Sequence, residues 1–567
     1  MTFIDLFDTY IDMSLNSEAS EKIVERLAWH TANRDQAGIA QDLADGNDIP
    51  EVYGLGEASL FDEFFYFLDH FGIMDLFVGI DPNSKKRKSK VPFAPIVLIY
   101  MMRIVAGLKF FCHIGPVILR SQSLMRLVGF NGRQVRDGTS KRGTKKSTPD
   151  DNGLKEQQPT KIRGPVCTNF IAATITAVLA SALENIFNKV VTILAANSFF
   201  PKNIEALLDA SQIESTEQCD GCGKVTKEKP PELRRRKKRI RKVVETVFGF
   251  KLWAIWDPNS CIPLAIRFDT IEVHDINLAK ELVQQAIVNL GDHARIKTLA
   301  IDRGFMDGTL LYWLDSIGIT FYIPAKTNMT VYEDALSLIG TGYCETRTKD
   351  RSTGYGNNKT ITTDYYKVEG LDALTSAGFY GPMGSGSHEN KKDFVPNPIN
   401  AVVVLDDPFK KNNPNSDTMV ILTNAPVAKP MKIYDGYDAR SEIENTLFRE
   451  AKQAWFIERP AQNTRAGFQV HVYLTILLMG LTSAYQDWMD QQDKMENDGK
   501  NTGIRKFREK IKEENGNKLI IFDQDRYAIF DAYEVFILCG RNVLRPTGVP
   551  EKITKENILR KYGVQLE

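Results

Sequence analysis

Residues 296–324 read IKTLAIDRGFMDGTLLYWLDSIGITFYIP. The run Ile296–Ile301 is apolar, too short for a helix, and stops at Asp302, so it reads as a buried strand. Asp307–Ile317 has helical apolar spacing behind an Asp-Gly start, and Ile319–Pro324 is again strand-like. Working upstream, a helix at about 276–290 carries Leu278, Leu282, Ala286 and Leu290 at spacing four. Before it, Phe248–Trp256 (FGFKLWAIW) and Ile262–Val273 (IPLAIRFDTIEV) are joined by Asp257–Ser260 (DPNS), a turn between two strands. Ile204–Ile213 (IEALLDASQI) is a further apolar run, broken by Asp209. Strands and helices in this order predict an α/β unit with a mixed sheet.

Downstream, residues 327–430 are rich in Thr, Gly and Asn, with strand-like runs at Thr360–Val368, Ala401–Leu405 and Met419–Leu422. They predict a β-rich insertion. Helical spacing returns at about 435–457 and 465–485. The tail after Trp488 is charged, with a strand-like piece at Leu519–Phe522. Residues 1–130 read as helical, 131–165 as a polar linker, and about 167–195 as one helix. The boundaries predicted are 1–130 (with an acidic stretch to 84), 131–200, 201–326 (with a basic insertion at 217–247), 327–430, 431–486 and 487–567. No repeat of solenoid period is present.

The chain has 567 residues, 43% of them hydrophobic and 25% charged, enough for several packed cores. Seven cysteines do not make a disulfide framework and point to a reducing compartment. The first residues, MTFIDLFDTYID, carry acids where an export signal carries lysines. Three apolar stretches, Pro92–Phe111, Thr168–Phe187 and Val470–Ala484, contain Arg103, end at Glu184, or fall short of a span, so all three read as buried helices of a soluble protein.

Lysine plus arginine equals aspartate plus glutamate, 72 against 72, but the charges are segregated. Residues 1–84 hold 17 acidic and three basic residues. Lys85–Lys90 is KKRKSK, and Arg133–Arg163 carries nine basic against four acidic residues. Gly223–Lys242 carries 11 basic against two acidic, including Arg234, Arg235, Arg236, Lys237, Lys238 and Arg239. Like-charge blocks are ordinarily solvated segments. Three basic blocks in a neutral chain also fit a polyanion contact surface whose affinity falls with salt.

Asp209 and Asp302 each sit directly after an apolar strand run, and acids at the ends of adjacent strands stand close enough to converge. The third acid is Glu444, in the helix Tyr437–Trp455 (YDARSEIENTLFREAKQAW). Arg440, Glu444, Phe448 and Lys452 fall on one stripe, while Ile443, Leu447, Ala451 and Trp455 form the apolar stripe beside it. Taken singly, Asp209 and Asp302 are ordinary turn formers, and Arg440–Glu444 is an ordinary i,i+4 surface pair.

In combination, strand–Asp209, strand–Asp302-Arg-Gly-Phe and Tyr437-x-x-Arg440-x-x-x-Glu444 on a late helix resemble the DDE transposases of bacterial insertion sequences, in the group with a Y-R-E-K pattern. The resemblance spans roughly 204–326 and 431–486. It implies an RNase H-like core interrupted by a β-rich insertion, with a helical N-terminal region. It also implies Asp209, Asp302 and Glu444 as catalytic acids and ligands of two Mg²⁺ or Mn²⁺ ions. Tyr437, Arg440 and Lys452 are the expected DNA contacts, joined by the basic run Arg234–Arg239. Partners implied are the element's terminal repeats, target DNA and a second copy, in a homodimer acting at the bacterial nucleoid within the cytoplasm. Other readings are an RNase H-like nuclease without strand transfer, and a DNA-binding protein derived from a transposase. The sequence departs from the family at two places. Seven residues rather than six separate Glu444 from Lys452, and Phe305 stands where tyrosine is usual. Residues 327–430 also contain no tryptophan.

Cys219-x-x-Cys222 has zinc-ligand spacing but lacks a second pair, so it reads as a turn beside the basic run rather than a zinc site. Cys112, Cys167 and Cys539 read as core residues. Asp275 and Asp307 read as helix caps or turn residues. Tyr332, Tyr343 and Tyr355 read as core aromatics, with base stacking as the alternative.

Overall fold

The computed structural model describes residues 32–78, 91, 93–137, 165–229, 243–353, 360–381, 397–408, 417–491, 508–509, 517–540 and 553–565. The basic runs 85–90 and 234–239, most of 131–165, and Tyr355 lie outside the described residues. The chain divides into two compact units. One comprises 1–182, 459–462 and 497–567, and the other 183–458 and 463–496.

The first unit joins the two ends of the chain. Lys518–Asp523 and Arg526–Asp531 form a hairpin that pairs on one side with Glu51–Gly54 and on the other with Asn33–Arg34. Ile39, Leu43, Ile521, Phe530, Leu538 and Leu559 share its core. The helix Phe93–Val105 is buried from Ala94 to Val105. Arg103 within it donates to the Tyr100 hydroxyl at 3.0 Å and to the Arg459 carbonyl and lies over the Phe111 ring, while its buried Nε has no hydrogen-bond partner among the described residues. The helix expected over 167–195 is interrupted, running as Thr168–Ile175 and then Ala180–Ala196. At the break the Thr176 hydroxyl donates back to the Ala172 carbonyl at 2.8 Å, within a run of β-branched residues that weakens helix propagation. Cys112 and Cys539 are exposed and Cys167 is half-buried, so the expectation of core cysteines fails for these three. Apolar composition of a cysteine's neighbours in sequence does not decide which way its short side chain faces.

The second unit is built on a ten-stranded mixed sheet. Its first strands are β1 (Asn203–Ser215), β2 (Gly223–Lys229), β3 (Val243–Asp257), β4 (Ile262–Thr270), β5 (Arg295–Ile301) and β6 (Thr320–Pro324). β4, β3 and β1 are successively antiparallel, β1 then pairs parallel with β5, and β5 parallel with β6. The order β4-β3-β1-β5-β6 is that of an RNase H-like core. β2 and β4 share one edge of the long strand β3 end to end. At their junction Gly249 has φ +154°, and a Cβ there would stand 2.2 Å from the Ile213 carbonyl oxygen, so only glycine fits.

Helix α1 (Asp275–Leu290) follows β4 and α2 (Gly308–Ser316) links β5 to β6. Residues 327–430 begin with a short helix, Thr330–Ser337, and then supply β7 (Tyr343–Thr353), β8 (Thr360–Leu374), β9 (Ile399–Asp406) and β10 (Val420–Thr423). These strands do not stand apart. β10 pairs antiparallel with β6 and the others follow outward, so the insertion widens the core sheet. Asn424 fixes that seam, accepting from the Phe321 N–H at 3.0 Å and donating to Asp315 at 2.8 Å.

The final helix, Arg465–Gln491, is long and apolar enough to cross a membrane, unlike the shorter stretch legible in sequence, yet 83% of its most apolar window is buried in the fold. It packs on β4, where Gly480 lets the backbone approach Pro263, and its Phe468 meets Phe250 of β3 at a tilt of 41° with centroids 5.0 Å apart.

Candidate functional site: three carboxylates around one guanidinium

Asp209 sits within β1 rather than at its end, opposite Ala254 of β3. On the other side the β1–β5 pairing stops at Leu208–Ile301, and the next residue of each strand is an aspartate. The Asp302 N–H donates to the Leu208 carbonyl at 3.3 Å, which keeps the two acids in step. Asp302 then caps a short turn, accepting from the Gly304 N–H at 2.9 Å. Gly304 is confined between Asp275 and Asp302, since a Cβ would lie 3.2 Å from a carboxylate oxygen of each. The parallel strands thus present two carboxylates where their ladder ends.

Glu444 arrives from the far side of the insertion. Helix α3 (Pro430–Asp438) is held against the added strands by the Arg347–Asp435 fork, with bonds of 2.7 and 2.8 Å, and by the Glu345 carboxylate on the Met431 N–H at 2.8 Å. The chain turns at Ala439–Arg440 and enters a wide π-helical turn, Ile443–Phe448, before the short helix Arg449–Gln453. The single helix expected over 435–457 is therefore three pieces. The wide turn also lies on the path between Glu444 and Lys452, eight positions apart. On an ideal α-helix eight residues rotate the face by about 80° past full turns, and seven by only about 20°. A π turn absorbs one residue, which restores the smaller offset.

Arg440 closes the site. Its Nη1 lies 2.7 Å from Asp209 Oδ2, 2.8 Å from Glu444 Oε1 and 3.7 Å from Asp302 Oδ1. Oxygens of Asp209 and Glu444 are consequently no more than about 5.5 Å apart, the sum of the two contacts, against about 4.2 Å for two oxygens on one small divalent ion. The Asp209 side chain is 8% exposed, that of Asp302 38% and that of Glu444 56%, so the cluster grades from buried to open. Burial pushes the Asp209 carboxyl up to about 7, although Arg440 and the Ala210 N–H oppose the rise. Burial likewise raises the Tyr437 hydroxyl to about 12, with the Arg440 guanidinium 6.0 Å from its ring.

Lys452 reaches β1, donating to the Gln212 carbonyl at 2.6 Å, with Glu458 at 3.5 Å. Asp275 is the first residue of α1, with His274 as the cap. Its carboxylate accepts from Lys251 at 3.0 Å and from the buried Trp253 indole at 2.8 Å. This anchor beside Asp302 carries no sequence signal beyond an acid at a helix start. Asp307 caps α2 as expected, accepting from the Thr309 N–H at 3.1 Å. The Tyr332 hydroxyl is tied to the Thr418 carbonyl, while Tyr343 is 51% exposed. Cys219 and Cys222 lie in a tight turn whose thiols approach the Asp220 and Thr216 carbonyls at 3.9 and 3.8 Å.

The side chains gathered here are carboxylates alone, the donor chemistry of hard ions such as Mg²⁺ or Mn²⁺, and they stand around one positive nitrogen. No three acids among the described residues stand at metal-ligand spacing, and the Arg440 guanidinium lies among these three.

No curated protein matches the chain. Among solved structures it is similar to a piggyBac transposase, in a synaptic complex with hairpin DNA, at 9% identity over 80% of each chain and a TM-score of 0.38. Asp209, Asp302, Arg440, Glu444 and Lys452 all fall within residues 205–481, and that segment matches the family model of the transposase DDE domain.

Proposed function

We propose that the protein is the DNA transposase of an insertion sequence, cutting the element's ends and joining them to target DNA. The observation that carries this reading is the convergence of Asp209, Asp302 and Glu444, from two adjacent strands and a late helix, on a single cationic position. The family match over 205–481 supports it. Divalent ions held there would stabilise both the attacking and the leaving oxygen of an in-line displacement at phosphorus.

The chain's own residues supply the rest. Asp209, nearly buried and central, would hold the ions together with Asp302 and Glu444 on either side. Arg440 and Tyr437 face the scissile strand. Lys452 spends one of its three N–H donors on the Gln212 carbonyl and offers the others to a phosphate. The basic run Arg234–Arg239 connects the paired ends of β2 and β3 at Lys229 and Val243, and acts as a phosphate-binding segment. Two DNA ends require at least a homodimer in the DNA complex.

Glu444→Gln tests the reading. The variant keeps binding a duplex bearing the element's terminal repeat and loses cutting by about a hundred- to a thousandfold, on the scale of removing a charge-stabilising group. Cutting at the wild-type rate would remove Glu444 from the site. Cutting without joining in the wild-type protein would favour a nuclease that lacks strand transfer.

A further inference from the structure

Arg440 occupies the place the acids reserve for a cation. One nitrogen, Nη1, meets Asp209 at 2.7 Å and Glu444 at 2.8 Å, with Asp302 at 3.7 Å. An ion shared by Asp209 and Glu444 needs their oxygens at about 2.1 Å and so falls on nearly the same point. A guanidinium and a divalent ion cannot share it, by volume or by charge. Arg440 therefore leaves the carboxylates whenever the ion is bound there. Once released, the guanidinium is a five-donor fork shaped for a phosphate, anchored one helical turn from Glu444.

We propose that Arg440 is the counter-ion of the three carboxylates and a coupling device: it pairs with them until a divalent ion binds and is then handed to a DNA phosphate. The inference rests on the phosphoryl-transfer reading of this site and adds to it a sign. Ion and DNA each remove Arg440's other partner, so each tightens the other. By linkage the two factors are equal, of order tenfold for coupling of typical size. Arg440 is here a positioning residue, distinct from the acids.

The test uses the full chain, Mn²⁺ as the probe, and a duplex of the terminal repeat already cut at the element end, so that no reaction occurs. Free Mn²⁺ is followed by electron paramagnetic resonance with and without the duplex. In the wild-type protein the duplex tightens Mn²⁺ binding about tenfold. In Arg440→Gln, Mn²⁺ binds more tightly than in wild type without DNA, because the competing cation is gone, and the duplex no longer changes its affinity. Weaker or unchanged Mn²⁺ binding in Arg440→Gln would overturn the inference, as would a duplex effect of wild-type size. Arg440→Lys, which keeps the charge but loses the fork, serves where the glutamine variant does not fold. It is expected to bind Mn²⁺ about as wild type does, with the duplex effect reduced, and an undiminished duplex effect contradicts the proposal. Loss of this coupling leaves the Glu444 test untouched, so the two claims fail separately.

Discussion

Asp209→Asn separates what the site costs from what it does. In the ion-free fold burial pushes the Asp209 carboxyl from an ordinary 3.8 up to about 7. Between those values the folded chain holds a proton that the unfolded chain has released. Stability therefore falls as pH rises from about 4 to about 7, and the loss is complete above the folded value. Asparagine has nearly the shape of the protonated acid and never ionises. At about pH 3, below the unfolded value, the two proteins should match, while at about pH 8 the variant should be the more stable. The whole rise sets an upper bound of about 4 kcal/mol. Arg440 offsets part of the burial cost of the charged acid, so about 1–3 kcal/mol is the expected difference. Thermal melts in EDTA at both pH values read it as a gap of several degrees, at roughly 2–4 °C per kcal/mol for a large domain. Saturating Mg²⁺ should close the gap by stabilising wild type alone. A gap independent of pH would refute the argument that Asp209 carries unrelieved burial.

Two further outcomes follow from the packing around the site. Asp275→Ala leaves the buried Trp253 indole N–H and the Lys251 ammonium without their carboxylate, and should cost about 1–3 kcal/mol in denaturant unfolding. Deleting Thr446, exposed in the wide turn, should convert that turn to regular α-helix while keeping Lys452 on its face. Melting temperature and DNA cutting should then stay close to wild type, whereas loss of both would show that the wide turn has a role beyond accommodating one residue.

Much of the core was legible because its signals are local. The runs 204–213, 248–256, 262–273, 296–301 and 319–324 announce strands by composition, and the structure has strands there. Asp209 and Asp302 were visible as acids interrupting or ending such runs. Pairing was not legible, because alternation along a strand does not name its neighbour. The insertion 327–430 looked like a separate β segment, yet β10 continues the sheet from β6. The hairpin 518–531 pairs with Asn33–Arg34 and Glu51–Gly54 across nearly the whole chain, a contact no local pattern encodes. The same limit applied to Arg440. Its i,i+4 relation to Glu444 was plain, but its 2.7 Å bond to Asp209, 231 positions away, required the fold. The wide turn at 443–448 was likewise hidden, since an extra residue in a helical pattern appears only as a drifting stripe.

The most direct test of the central claim is the anomalous scattering of Mn²⁺ in crystals of the full chain. The account predicts a peak within about 2.1–2.3 Å of carboxylate oxygens from Asp209 and at least one of Asp302 and Glu444, with the Arg440 guanidinium displaced from them. Crystals grown in saturating Mn²⁺ that show no peak among these three acids, with Arg440 still bridging them, would contradict it.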